Sequence, residues 1–165
     1  MASLRYRARG LDTIGLRFTF VYGAGRLRGR SSYPSHLIRS AAAGQRVQVP
    51  YSDQILNWQY VEDLADLVVK VLTHPQTSRQ AAYNVNGEPR TLGEAGQALQ
   101  SLLGDSVSGY DQGKDPNYAT TPMALDDSAL REEFRWSASF PLARGIKASI
   151  SEYAAMARLA VENSQ

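Results

Sequence analysis

Gly15-Leu16-Arg17-Phe18-Thr19-Phe20-Val21-Tyr22-Gly23-Ala24-Gly25-Arg26 is the stretch that decides how this 165-residue chain is read. From residue 13 to residue 22, Ile14, Leu16, Phe18, Phe20 and Tyr22 fall on alternate positions. That period of two belongs to a strand with one buried face. Gly23 and Gly25 follow at once, and glycine tolerates the backbone angles of a sharp exit. Pro34 sits near the start of 33–43, where it suits the first turn of a helix that Gly44 closes. The order is therefore strand, turn, helix.

The rest of the chain continues the alternation. Residues 46–50 form a short strand with Val47 and Val49 apolar. The spacing predicts a helix over 61–73, with Val61, Leu64, Ala65, Val68, Val71 and Leu72 on one face, widened by Leu67 and Val69. Glu62 and Asp63 occupy its first turn, where the helix dipole favours anions, and Pro75 prevents its continuation. Residues 82–86 read as a strand ending at the Asn86-Gly87 turn signal. Thr91-Leu92-Gly93-Glu94 is a capping box opening a helix that buries Leu92, Ala95, Leu99, Leu102 and Leu103 and stops at Gly104. Residues 105–124, rich in Gly, Asp and Pro, read as a long loop. Helices follow over 127–134 and 141–161, the second with Leu142, Ile146, Ile150, Tyr153 and Ala157 as its stripe.

Alternating strands and helices define an α/β domain with parallel pairing. About three strands for four or five helices make a sparse sheet for a free-standing doubly wound fold. No repeat or linker divides the chain, so residues 1–165 form a single domain. A hydrophobic content of 43% and a charged content of 21% are those of an ordinary globular protein. No apolar run approaches the ~20 residues of a membrane span, and the basic N-terminus lacks the apolar stretch of a secretory signal. The absence of cysteine excludes disulfides, thiolate nucleophiles and Cys-based zinc sites. These features lead us to expect a cytoplasmic protein with no membrane partner.

The net charge of +2 hides an asymmetry, because eight of the 18 basic residues lie in the first 40 (Arg5, Arg7, Arg9, Arg17, Arg26, Arg28, Arg30, Arg39), against Asp12 alone. Such a cluster can attract phosphates. Arg5, Arg7 and Arg9 read as a solvated face, whereas residues 26–30 follow a strand directly and carry more weight. His36 and His74 have no partner at metal or triad spacing, so no metal site is expected.

Three stretches in register resemble extended short-chain dehydrogenase/reductases of the NAD-dependent epimerase/dehydratase type. Residues 15–26 are similar to that family's "GLR…VYGPGR" strand and turn. Trp58-Gln59-Tyr60-Val61-Glu62-Asp63-Leu64-Ala65 is similar to its "FVYVDDVA" segment at the start of a helix, and Tyr83-Asn84-Val85-Asn86-Gly87-Glu88 to "YNIGSGE". Asp126, Leu130, Trp136 and Ile146 continue the pattern. The resemblance implies a partial Rossmann-like α/β fold corresponding to the C-terminal half of the family's enzymes. It would lack the N-terminal βαβ units that hold the cofactor. Residues 1–30 would complete a dinucleotide-binding sheet and residues 31–165 would form a substrate-binding region. NAD or NADP is the implied cofactor, but binding by this chain alone is not expected.

No catalytic residue is assigned. In the family a Tyr-x-x-x-Lys pair exchanges the proton, with the lysine lowering the tyrosine's pKa. Tyr110-Asp111-Gln112-Gly113-Lys114 matches that pattern literally. The chemistry, however, needs the two side chains one helical turn apart, and this stretch is Gly/Asp-rich. Gly23-x-Gly25-x-x-x-Gly29 superficially matches a dinucleotide fingerprint but does not open a helix in a βαβ unit.

By resemblance, Phe20, Val21 and Tyr22 lie beside the nicotinamide, and Arg26, Val49, Gln54 and Leu56 border the substrate cleft. On their residue types alone, Phe20 and Tyr22 suit core aromatics equally well. Phe20 and Leu56 stand where the family's sugar-nucleotide enzymes commonly have an asparagine and an arginine, and neither can hydrogen-bond a diphosphate. This favours an uncharged hydroxyl or carbonyl compound as the small-molecule substrate. The leading expectation is a substrate-binding portion of an NAD(P)-dependent epimerase, dehydratase or reductase, inactive alone. The alternative is an interaction domain that forms a homodimer or pairs with a separate NAD-binding chain through its uncovered apolar strand. Nucleic-acid binding through the N-terminal arginines ranks last, since few aromatics interleave with them.

Overall fold

The alternating segment that opens the chain does not form one strand; it forms two, and they pair with different partners. The computed structural model describes residues 13–26, 28–29, 32–75, 80–117 and 124–162, so Arg5, Arg7, Arg9 and Arg30 lie outside the described residues. The elements run β1 (Gly15–Arg17), β2 (Phe20–Tyr22), α1 (Tyr33–Ala42), β3 (Val47–Val49), β4 (Ile55–Tyr60), α2 (Val61–Leu72), β5 (Ala82–Asn84), β6 (Glu88–Thr91), α3 (Leu92–Leu103), β7 (Val107–Tyr110), α4 (Ser128–Phe134) and α5 (Leu142–Glu162). β1 runs parallel to β5, β2 runs parallel to β4, and β3 runs parallel to β7. β6 returns antiparallel on the far side of β4.

The break at Phe18 and Thr19 changes which face of the segment is buried. Leu16 packs against one hydrophobic cluster together with Val21, whereas Phe20 and Tyr22 lie inside another. Even and odd positions have exchanged faces, as an irregularity in a two-residue repeat requires. Phe18, expected on the buried face, is 41% exposed.

The larger cluster gathers Phe20, Tyr22, Trp58, Tyr60, Ile38, Leu92 and Ile146. Its aromatic rings meet edge to face, with Phe20 and Tyr22 each 5.3 Å from Trp58. Such contacts contribute roughly 0.5–1.5 kcal/mol each beyond burial. The smaller cluster holds Leu64, Leu67, Tyr83, Val85, Leu130, Phe134 and Trp136.

Three strands, β4, β6 and β7, lie outside the stretches expected to be strands. Ile55–Tyr60 is the longest strand of the described residues and nearly all of it is buried. Val107–Tyr110 forms β7 within the stretch read as loop, because β3 offers it a parallel edge. The α2 stripe also differs from expectation. Asp63, Leu64 and Leu67 are buried, while Val68, Val69 and Leu72 are 38%, 57% and 77% exposed. The second cluster is narrow and takes only the Leu64–Leu67 side of the helix. α3 keeps its capping box, with Thr91 Oγ1 accepting from Glu94 N at 3.0 Å and Glu94 Oε2 accepting from Thr91 N at 2.7 Å.

Helix α5 lies across the larger cluster and approaches it closely at one point. A Cβ on Gly145 would fall 2.0 Å from the Tyr22 hydroxyl oxygen and 2.9 Å from Cζ. The tyrosine ring is locked between Trp58 and Tyr60 and cannot yield. Gly145→Ala is therefore expected to destabilise the domain by about 1–3 kcal/mol in urea denaturation. Adding Tyr22→Phe should recover part of that loss, because it removes the clashing oxygen.

Candidate functional site

β4 is the element from which the site is built. Its residues alternate Leu56, Trp58, Tyr60 on one face and Asn57, Gln59 on the other. The first face enters the large cluster. The second faces β1 and the chain leaving β5, and it is buried too: Asn57 is 1% exposed and Gln59 5%. Buried amides are costly unless every donor and acceptor finds a partner.

Here the partners come from two separate segments, Thr19 between β1 and β2 and residues 85–87 after β5. Gln59 Oε1 accepts from Thr19 N at 2.9 Å, and Gln59 Nε2 donates to Val85 O at 2.6 Å. Thr19 Oγ1 donates to Asn57 O at 2.8 Å. Asn57 Oδ1 accepts from Gly87 N at 2.6 Å, and Asn57 Nδ2 donates to Asn86 Oδ1 at 2.9 Å. That Asn86 oxygen also accepts from Leu125 N at 2.9 Å. The break between β1 and β2 is thus filled by side-chain amides: where the backbone ladder changes partner, Gln59 and Asn57 take its place. Gly87 is part of this fit, since a Cβ there would lie 2.2 Å from Trp58 O.

A cavity of about 400 Å³ adjoins the network. Gln59, Asn86 and Gly87 belong to both. Trp58, Tyr60 and Phe140 add aromatic surface, and Asp63, Glu88 and Arg131 add charge. Most of that charge is already engaged. Asp63 accepts from the backbone of Ser139 and Phe140, Glu88 accepts from Leu142 N and pairs with Arg90, and Arg131 pairs with Asp127. A few oriented polar groups on a largely apolar lining is the usual make-up of a small-molecule site.

The seven site residues read from the sequence fall elsewhere. Phe20, Tyr22, Val49 and Leu56 come together, each at most 1% exposed, in the large cluster. Val21 is half-buried against the smaller cluster. Arg26 Nη1 donates to Arg28 O at 2.6 Å in the turn after β2. Gln54 Nε2 donates to Ile55 O at 2.9 Å, beside the start of α3. None of the seven lines the cavity. Tyr110 lies in β7 with its hydroxyl donating to Gln100 Oε1 at 3.2 Å, and Lys114 lies outside any helix. Among the described residues no group of three or more His, Cys, Asp or Glu could hold a metal, and no helix is long and apolar enough to cross a membrane.

Asn57, Gln59, Asp63 and Glu88 are the residues that sequence reasoning passed over as functional. The signal for the first two is present: Leu-Asn-Trp-Gln-Tyr over 56–60 alternates with a period of two. It reads as a half-solvated strand only if amides are assumed to face water.

The fold and its site define a Rossmann-like α/β protein with parallel strands. The chain belongs to the NAD dependent epimerase/dehydratase family, whose sequence profile matches residues 2–86, just over half its length. The family uses NAD. Among solved structures it is similar to L-threonine dehydrogenase from Phytophthora infestans (TM-score 0.79, 20% identity, 93% of this chain and 52% of that one). It is also similar to UDP-glucose 4-epimerase from Thermotoga maritima with UDP-glucose (TM-score 0.75, 17% identity, 94% and 50%). A third is dTDP-glucose 4,6-dehydratase from Bacillus anthracis in complex with NAD (TM-score 0.67, 21% identity, 93% and 48%). At these identities the likeness shows the fold alone. The chain spans about half the length of each of these structures. No curated protein matches it.

One expectation is overturned here. The solved structures align through the N-terminal half of their chains, and the family profile covers residues 2–86, so the assignment to the C-terminal half does not stand. A doubly wound sheet is assembled from two similar βαβαβ halves, so short strand-turn-helix motifs do not by themselves fix which half is in hand.

Two measurements check the geometry of the site. Asn57→Leu leaves Gly87 N without its acceptor and removes one of the two donors to Asn86 Oδ1, and an orphaned buried group costs about 1–3 kcal/mol. A fall in stability of that order by chemical denaturation, larger than for Gln48→Leu on the exposed side of β3, is the expected result. Tyr22 and Tyr60 give the second. Burial first, then the nearby Glu88 charge, raises the Tyr22 phenol well above its ordinary value of 10. Burial and the hydrogen bond to Glu152 do the same for Tyr60. The folded state keeps both protonated while the unfolded chain releases these protons near pH 10. Stability is therefore undiminished by these groups below that pH and falls as pH rises above it. Urea midpoints at about pH 8 and about pH 11 should show the drop, and Tyr22→Phe should reduce it.

Proposed function

We propose that this chain is part of an NAD(P)-dependent epimerase, dehydratase or reductase acting on a hydroxyl or carbonyl compound. The observation that carries this reading is the exchange of partners between β1 and β2. In open α/β sheets, ligands bind in the crevice where neighbouring strands part, beyond their carboxyl ends. β1 and β5 end together at Arg17 and Asn84, and the chain then leaves that pair for β4. The amide network and the adjoining cavity lie at this divergence. Of the three residues assigned to the cofactor by resemblance, Val21 is the one with side-chain surface left to offer a nicotinamide. Phe20 and Tyr22 serve by fixing the strand beneath it. On the substrate side, Arg26 and Gln54 are the two with partly exposed side chains, whereas Val49 and Leu56 lie in the core and serve by holding β3 and β4 in place.

Turnover in this reading requires the remainder of the fold, since the chain spans about half of its structural relatives. A second reading, that the chain is a non-catalytic module which forms a homodimer or pairs with a separate NAD-binding chain, draws on a different observation. Val69, Leu72, Met156 and Leu159 are each more than half exposed, and large apolar side chains in water favour association. The purified chain, given NADH or NADPH and a panel of aldehydes and ketones, is expected to show no oxidation at enzymatic rates. Sustained turnover would overturn the requirement for a second part. Light scattering at tens of micromolar (about the range of such association) should show a species larger than the monomer, and a purely monomeric profile would count against the second reading.

A further inference from the structure

Residues 137–141 form the outer wall of the cavity, and they are held in an unusual way. Ser137, Ala138, Ser139 and Pro141 are exposed, so the segment has little apolar burial of its own. Its ends are anchored in different places: Trp136 is buried in the smaller hydrophobic cluster and Leu142 in the larger. Between them the strongest ties to the rest of the domain converge on Asp63. Its Oδ1 accepts from Ser139 N at 2.9 Å and from Ser139 Oγ at 2.8 Å, and its Oδ2 accepts from Phe140 N at 3.1 Å. The carboxylate is 5% exposed and lies in the first turn of α2, on the same helix face as Leu64 and Leu67.

We infer that Asp63 is a positioning residue that latches the 137–141 wall over the cavity, so that losing its carboxylate frees the wall while the domain stays folded. Three features support this. The three hydrogen bonds have a charged acceptor, and such bonds are about twice as strong as neutral ones. The other contacts of the wall are weaker: the Phe140 ring lies between Tyr60 at 4.7 Å and the Arg144 guanidinium at 4.5 Å, and the exposed Arg144 Nη1 donates to Ser139 O at 3.2 Å. Glu88 fixes the α5 end by accepting from Leu142 N at 2.7 Å, whereas the Ser139 and Phe140 amides are held by Asp63. The significance of the latch for ligand binding rests on the reading of the cavity given above; the latch itself does not.

Amide hydrogen exchange on the full chain tests it without any ligand. In Asp63→Ala, the Ser139 and Phe140 amides should exchange about tenfold faster or more, while Ile146 and Leu99 keep their wild-type protection. Asp63→Asn offers one oxygen and one N–H₂ group. With the oxygen toward Ser139 its amide stays protected, and the Phe140 N–H then faces a donor and loses protection. Unchanged exchange at both amides in Asp63→Ala would overturn the inference. So would an equal rise at Ile146 and Leu99, which would mean that Asp63 supports the whole fold and not the wall. Because no ligand enters the measurement, its failure is separate from a failure of the functional reading, which the turnover assay decides.

Discussion

Everything in this domain is arranged around two buried amides. Asn57 and Gln59 sit on a strand whose opposite face is the aromatic core, and they cannot reach water. Their desolvation is offset only if Thr19, Val85, Asn86 and Gly87 are all in place at once. An apolar pair could have filled the same space with less to satisfy. What the amides add is direction: a hydrogen bond fixes angle and register where a packed methyl does not. At the break between β1 and β2 the backbone has no sheet partner to set its course, and the amides supply one.

The two hydrophobic clusters follow from that constraint. With the chain turned at Phe18 and Thr19, Leu16 and Val21 are delivered to one side, Phe20 and Tyr22 to the other. β4 then serves as a common wall, apolar toward the larger cluster and polar toward the seam. The cavity opens beside this wall and not inside either core, which is why its lining mixes Trp58 and Phe140 with Asn86 and Glu88.

Much of this was legible in the sequence. The α1, α2 and α3 helices lie within a residue or two of the bounds expected for them, the Thr91–Glu94 box is formed, and Gly104 ends α3 with a positive φ of 62°. The family follows from motifs at 15–26, 58–65 and 83–88. The rest depended on pairing that no local pattern reveals. β6, which carries Pro89, and β7, rich in turn formers, have poor intrinsic strand propensity. They are strands because β4 and β3 present edges to them. The candidate site was less legible than the fold. The resemblance pointed to Phe20, Tyr22, Val49 and Leu56, four residues that the fold buries in its core, whereas Asp63 reads as an ordinary first-turn acid. Its role is visible only once residue 139 is seen to lie beside it.

The seam also bears on how the chain comes to be folded. Thr19 meets Asn57 and Gln59 across separations of 38 and 40 residues, and Gln59 meets Val85 across another 26. No contiguous stretch of the polypeptide contains a complete set of partners. Helices α1, α2 and α3 can form from local contacts on fast timescales, but the amides are satisfied only after several long loops have closed. The seam is complete only when residue 19, residues 57–59 and residue 85 have been brought together, a condition that no single helix or hairpin meets. Contacts between distant parts of a chain slow folding more than local ones do, so these amides add to the time the chain needs to reach its native state as well as to the precision of that state.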